Sequence, residues 1–189
     1  MKKNQAFLVV DTETGGLSSD RHSILSLAGV VWEPKQSIKP LFDFYIREEE
    51  IITTKRALEI NKIDLNTLKD GLTPVDAVKT IKKSLDMHFG HDREPITLVG
   101  HNINFDAGFI KRLYKFAKMD YYTDFRDRAV DTASILSFFM IAGKIKGDRA
   151  SADVLFEATD TKIETKDRHT AKGDAIATAK AIDALILTI

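Results

Sequence analysis

AFLVVDTETGGL, residues 6 to 17, decides how this chain folds: five apolar residues run straight into Asp11-Thr12-Glu13 and then into the turn pair Gly15-Gly16. An apolar run of that length bounded by glycines predicts a buried strand, and side chains at i and i+2 of a strand project from the same face. Asp11 and Glu13 are therefore expected side by side. Two carboxylates that close repel each other unless something positive lies between them, and hard divalent cations with oxygen ligands meet that need.

Two further stretches carry acids in suggestive places. GHNINFDAGFI, residues 100 to 110, follows the strand-like run Ile96 to Val99. From Phe105 the pattern turns helical: Phe105, Phe109, Leu113 and Phe116 fall on one side, and Asp106, Ile110, Leu113 and Ala117 trace an overlapping stripe. Asp106 is thus an acid on a largely inward face. It could equally be a first-turn acid favoured by the helix dipole, with Asn102 or Asn104 as the cap. The third stretch is Arg168-His169-Thr170-Ala171-Lys172-Gly173-Asp174, followed by the helical stripe Ala175, Ile176, Ala179, Ile182, Ile186 and Ile189. His169 and Asp174 converge if His169 lies on the loop entering the helix, Thr170 caps it and Asp174 sits in its first turn. A lone His before a helix is ordinarily a polar loop residue. The joint occurrence of all three stretches, in this order, favours chemistry instead.

The combination VVDTETGGL, GHNINFD and HTAKGD resembles the DEDDh group of 3′-to-5′ exonucleases, which includes proofreading, RNase T and oligoribonuclease relatives. The likeness runs from Phe7 to the last helix. It implies that Asp11, Glu13, Asp106 and Asp174 are metal-binding acids for two divalent cations, Mg2+ or Mn2+, and that His169 is the general base. It implies a substrate-binding set of Thr14, Leu17, Asn61, Ile63, His101 and Phe105. Two positions depart from the family pattern: Gly15 stands where a second Thr is common, and Asn61 where many members carry His. Both bear on substrate preference rather than on the chemistry. The resemblance further implies release of 5′-mononucleotides from the 3′ end of nucleic acid. DNA and single strands are favoured, and the enzyme acts free-standing or as a proofreading partner of a DNA polymerase. An RNA-processing exoribonuclease of the same family is the alternative, and a non-catalytic nucleic-acid-binding scaffold the weaker one. Pairing as a homodimer, as in RNase-T-like members, is compatible with it.

Composition agrees with a single exonuclease domain over residues 1 to 189. A chain of this length buries roughly 70% of the surface it exposes when unfolded. The 28 basic and 28 acidic residues cancel, so attraction to nucleic acid must be local. The candidate clusters are Lys111, Arg112, Lys115 and Lys118; Lys144 and Lys146; and Lys162, Lys166, Arg168 and Lys172, of which the last gains weight from lying beside His169. Cysteine is absent, which excludes disulfides and cysteine catalysis. No secretory leader or membrane-length apolar run is read, so the cytoplasm is the expected location and no membrane partner is expected.

The remaining pattern fits an α/β fold. Apolar runs at 6 to 10, 24 to 32 and 41 to 46 read as an antiparallel meander. Thr73-Pro74 opens a helix carrying Val75, Val78, Ile81, Leu85 and Phe89 inward. A strand at 96 to 99, the Asp106 helix, a strand at 129 to 131, helices near 132 to 142 and 151 to 158, and the final helix follow. Asp131 reads as a structural cap, and 159 to 168 as a loop carrying His169. This order suits the ribonuclease-H-like mixed five-stranded sheet flanked by helices that the resemblance implies.

Overall fold

The computed structural model describes residues 7–187. Ala6 and Ile189, included in the first strand and the last helical stripe by sequence, lie outside them. Five strands form one sheet: β1 (Phe7–Thr14), β2 (Ile24–Trp32), β3 (Lys39–Tyr45), β4 (Leu98–Gly100) and β5 (Val130–Asp131), in the order β3-β2-β1-β4-β5. The meander is antiparallel as expected, and β4 and β5 run parallel to β1. All nine residues of β2 are buried, because it lies between two strands and is covered on both faces.

Among the described residues six α-helices flank the sheet: α1 (Lys55–Asn61), α2 (Pro74–Phe89), α3 (Ile103–Phe116), α4 (Thr132–Ile141), α5 (Ala152–Ala158) and α6 (Ala171–Ile186). The period of β1 sorts its side chains between two layers. Leu8 and Val10 join the core shared with Ala77, Ile81 and Leu85 of α2 and Phe109, Ile110 and Leu113 of α3. Val9 faces the other way, against Ala175, Ala179 and Ile182 of α6. The same alternation sends Asp11 and Glu13 to the α6 side and Thr12 to the α3 side. A third apolar cluster joins Leu136 of α4, Leu155 and Phe156 of α5, and Ala177, Ala181 and Leu185 of α6.

Local signals explain most helix starts. Thr73 caps α2 by accepting from the Asp76 amide, with Pro74 in the first turn. Asp131 caps α4 by accepting from the Ala133 amide and the Ser134 hydroxyl, and it also accepts from the Asn102 amide, so it is the structural cap expected. α3 begins at Ile103, two residues before the expected start, after Asn102 in the left-handed conformation and without a side-chain cap. Its buried face takes in all of the second stripe, Asp106, Ile110, Leu113 and Ala117, and Phe109 and Leu113 of the first. Phe116 flanks that face, 46% exposed, under the Arg112 guanidinium. Likewise Val78, Ile81 and Leu85 of α2 are buried as expected, joined by Ala77, whereas Val75 in the first turn is exposed. The strand expected at 96 to 99 is shifted to Leu98–Gly100, with Ile96 making a separate bridge to Phe125. α1 was not expected. It has no buried residue, and so no apolar period to read. No helix among the described residues is long and apolar enough to cross a membrane.

Candidate active site

At the end of β1 the two acids meet a third from α6. Asp11, Glu13 and Asp174 each offer a carboxylate oxygen, and these atoms all lie within 4.8 Å of one another. Asp174 is fixed in the first turn of α6, where Thr170 caps the helix by accepting from the Gly173 amide at 3.1 Å. A β-carbon on Gly173 would stand 2.0 Å from the Asp167 carbonyl oxygen, so glycine there lets the preceding loop lie flat on the helix and bring residues 168 and 169 over the acids. Asp106 arrives from the first turn of α3 on the other side of the strand. Its Oδ1 accepts from the amide of Thr12 at 2.9 Å and from the Thr12 hydroxyl at 2.7 Å.

Crowding and burial hold these groups in an unusual charge state. Burial, reinforced by Asp174 and Asp106, pushes the Glu13 carboxyl up to about 8. Burial pushes Asp106 up to about 7, even though both Thr12 hydrogen bonds pull it down. Asp11 lies well above the usual carboxylate range through burial and then the neighbouring Asp106, Glu13 and Asp174, and burial raises Asp174 as well. Against them stands the Arg168 guanidinium, whose Nη1 donates to Asp174 Oδ2 at 2.6 Å and whose Nη2 donates to Asp153 Oδ1 of α5 at 2.8 Å. The other oxygen of Asp174, Oδ1, is buried and has no hydrogen-bond partner. A set of carboxylate oxygens short of positive charge, one of them unpartnered, with no sulfur or imidazole among them, fits a hard divalent cation.

His169 sits one residue beyond Arg168 in the left-handed conformation (φ 62°), a region few side chains adopt without a reason. Its amide donates to Asp174 Oδ2 at 3.2 Å, which places it on the loop entering α6 as the sequence predicts. Its exposed side chain lines a groove of about 990 Å³ together with Glu13, Asn61, Ile63, Lys172 and Ile176.

The residues expected to bind substrate divide into two groups. Asn61 and Ile63 line the groove, with Asn61 Nδ2 donating to the Thr14 carbonyl at 3.2 Å and Asn61 Oδ1 accepting from the Ile63 amide at 3.1 Å. Leu17 projects from the turn after β1, 88% exposed. The others are engaged within the protein. The Thr14 hydroxyl donates to the Gly16 carbonyl, and Phe105 packs on Phe109 with ring centroids 5.1 Å apart. Both ring nitrogens of His101 are occupied, Nδ1 by Thr132 Oγ1 and Nε2 by the Ala150 carbonyl, each at 3.0 Å, and burial lowers its pKa. Gly15 departs from the family pattern for a steric reason. Its β-carbon would lie 2.2 Å from the Ile52 carbonyl oxygen, where the chain crosses it on the way to α1. Sequence reading missed Thr12 and Asp153 and saw Arg168 only as one cation in a basic cluster. Their partners are 94 and 15 residues away, beyond any local signal.

Three comparisons place the chain among known proteins. The RNase T family model, described as Exonuclease, matches residues 8–182. A PolC-type DNA polymerase III of Oceanobacillus iheyensis is 29% identical over 135 residues, which is 71% of this chain and 8% of that protein. Among solved structures, E. coli exonuclease I in complex with a dT13 oligonucleotide superposes with a TM-score of 0.78 at 17% identity, covering 97% of this chain and 41% of the other. Cell-death related nuclease 4 gives a TM-score of 0.77 at 16% identity, covering 97% of this chain and 64% of the other. The chain thus spans less than two thirds of each of these relatives, and the structural likeness is one of fold: the mixed five-stranded sheet with its flanking helices.

Proposed function

This chain belongs to the RNase T exonuclease family, and on that premise we propose that it is a metal-dependent 3′-to-5′ exonuclease, a single domain that releases 5′-mononucleotides from the 3′ end of single-stranded DNA. The observation that carries this reading is the convergence of Asp11, Glu13 and Asp174 around an unpartnered carboxylate oxygen, with Asp106 close enough to raise the pKa of Asp11 and Glu13, beside an exposed histidine on an open groove. Asp11, Glu13 and Asp174 would hold the cations, with Asp106 completing the set from the α3 side. When bound, Mg2+ or Mn2+ acidifies a water and neutralises the phosphate.

The rest of the reaction falls to the protein's own groups. His169 accepts the proton of the attacking water through a ring nitrogen that is unprotonated in the neutral imidazole. Leu17 offers an exposed apolar surface to a base, and Asn61 and Ile63 form the groove wall beside Glu13. An extended strand with a free end fits such a groove, since every base offers a stackable face. DNA is favoured because the PolC-type relative is a DNA polymerase and the exonuclease I structure is a complex with an oligodeoxynucleotide. The PolC-type relative also supports a role on primer ends beside a polymerase.

Digestion of 3′-labelled single-stranded DNA, duplex DNA and RNA, side by side with Mg2+, tests this. Release of labelled mononucleotide from single-stranded DNA ahead of the other two is the expected result. Faster release from RNA would make the enzyme an exoribonuclease. No hydrolysis of any substrate would sink the catalytic reading.

A further inference from the structure

Arg168 holds a position that the reading above leaves without a role. Its guanidinium is anchored at both ends, Nη1 on Asp174 Oδ2 at 2.6 Å and Nη2 on Asp153 Oδ1 at 2.8 Å, and it lies 5.6 Å from the centre of the Phe156 ring. The Arg168 side chain is 21% exposed, and that of Asp174 11%. Its positive charge lowers the carboxyl pKa of Asp11, Glu13 and Asp174 together, against the burial and mutual repulsion that raise them. Asp174 Oδ2 also accepts from the His169 amide, so one carboxylate oxygen ties down the guanidinium and the backbone that carries the histidine.

We propose that Arg168 is a built-in counter-cation of the acid cluster: its guanidinium occupies Asp174 in the metal-free protein, competes with divalent cations for that carboxylate, and is drawn back onto Asp153 when a cation binds. Two positive charges a few ångströms apart repel strongly in a partly buried site, so a cation on the unpartnered Oδ1 of Asp174 and a guanidinium on Oδ2 of the same carboxylate weaken each other's hold. Asp153 provides the second seat. It lies on α5, outside the carboxylate cluster, and 74% of its side chain is exposed, so it can keep Arg168 at the rim of the site once Asp174 is released. Arg168 is then a positioning residue. Without metal it keeps the loop over the acids, and with metal it leaves a planar, five-donor cation beside the groove, suited to a phosphate oxygen.

This inference rests on the reading of the carboxylates as a cation site, and the test separates the two. Binding of Mn2+ alone is measured by calorimetry, without nucleic acid, for the wild-type protein, Arg168→Gln, Arg168→Lys and Asp153→Asn. If the wild-type protein takes no Mn2+, the metal-site reading itself fails. If it does, Arg168→Gln is expected to bind Mn2+ about tenfold more tightly or better, Arg168→Lys to stay within about threefold of wild type because the charge remains, and Asp153→Asn not to tighten binding. A merely structural arginine predicts the opposite for Arg168→Gln, a looser loop and unchanged or weaker Mn2+ affinity, and that result overturns the proposal. Equal tightening by Arg168→Gln and Asp153→Asn overturns it too, since it would assign the effect to loop order rather than to charge. Should Arg168→Gln not fold, the wild-type protein still decides. The Arg168 Nε–H resonance should shift with Mg2+ in proportion to site occupancy, and a resonance that ignores bound Mg2+ refutes the competition.

Discussion

Replacing Glu13 by Gln is expected to stabilise the metal-free protein in a way that depends steeply on pH. In the fold the Glu13 carboxyl is pushed up to about 8 from an ordinary value near 4.5, with burial the main cause. A carboxyl whose pKa is raised by folding binds its proton more tightly in the folded state. Its cost is therefore absent below about pH 4.5, grows as pH rises through the window between the two values, and is complete above about pH 8. Linkage over that interval amounts to on the order of 3 kcal/mol at pH 7. Gln has the shape of the protonated acid and cannot ionise. For a chain of this size 1 kcal/mol moves the melting temperature by about 2–4 °C. At pH 8 the linkage reaches about 4 kcal/mol, so Glu13→Gln should raise the melting temperature in EDTA by roughly 8–16 °C there and by under about 2 °C at pH 4.5. Thermal melts across that range check this, with Mn2+ added in a second series, where the variant should lose most of the metal-induced stabilisation of the wild-type protein. A gain of equal size at both pH values, or a loss at pH 8, would refute the charge-crowding argument.

The other expectations concern turnover, direction and the inward-turned residues. His169→Ala should cut turnover roughly 10²–10⁴-fold while Mn2+ affinity measured by calorimetry stays close to wild type; a parallel loss of metal would make His169 a ligand. Circular single-stranded DNA should resist under conditions that consume the linear form, and its rapid degradation on a gel would identify an endonuclease. Leu17→Ala should raise KM with little change in kcat, because the side chain is exposed and carries no group that can hold a metal or take a proton. His101→Ala should cost ~1–3 kcal/mol in denaturant melts by leaving Thr132 and Ala150 without their ring partner, and a raised KM with unchanged stability would return His101 to the substrate-binding set.

What could be read from the sequence was what short-range physics controls. The pairing of Asp11 with Glu13 follows from the period of two along β1, and the placing of His169 ahead of Thr170 and Asp174 follows from cap chemistry within one turn. The antiparallel meander followed from three apolar runs and short connections. The exposure of Phe116 on α3 did not, because only the sheet the helix packs on decides how far round its buried face extends. The Thr12 bonds to Asp106 and the Arg168 fork leave no local trace, since their partners meet only through the tertiary fold. His101 is expected from its motif to face substrate, and its ring bonds to α4 and the loop before α5 have no local signal either.

The division of β1 between two layers has a consequence for when this molecule becomes dangerous to nucleic acid. Asp106 is bound to the strand from the α3 side, whereas Asp174 reaches the same strand end only when α6 docks against β1 and β2 on the opposite side. Until α6 emerges from the ribosome and packs, a growing chain carries three of its four acids and lacks the histidine loop as well. The proposed cutting centre thus depends on contacts between the two ends of the chain and is among the last to close. Partial unfolding that frees α6 should disarm the enzyme before the rest of the sheet gives way, so that misfolded copies are harmless to the nucleic acid around them.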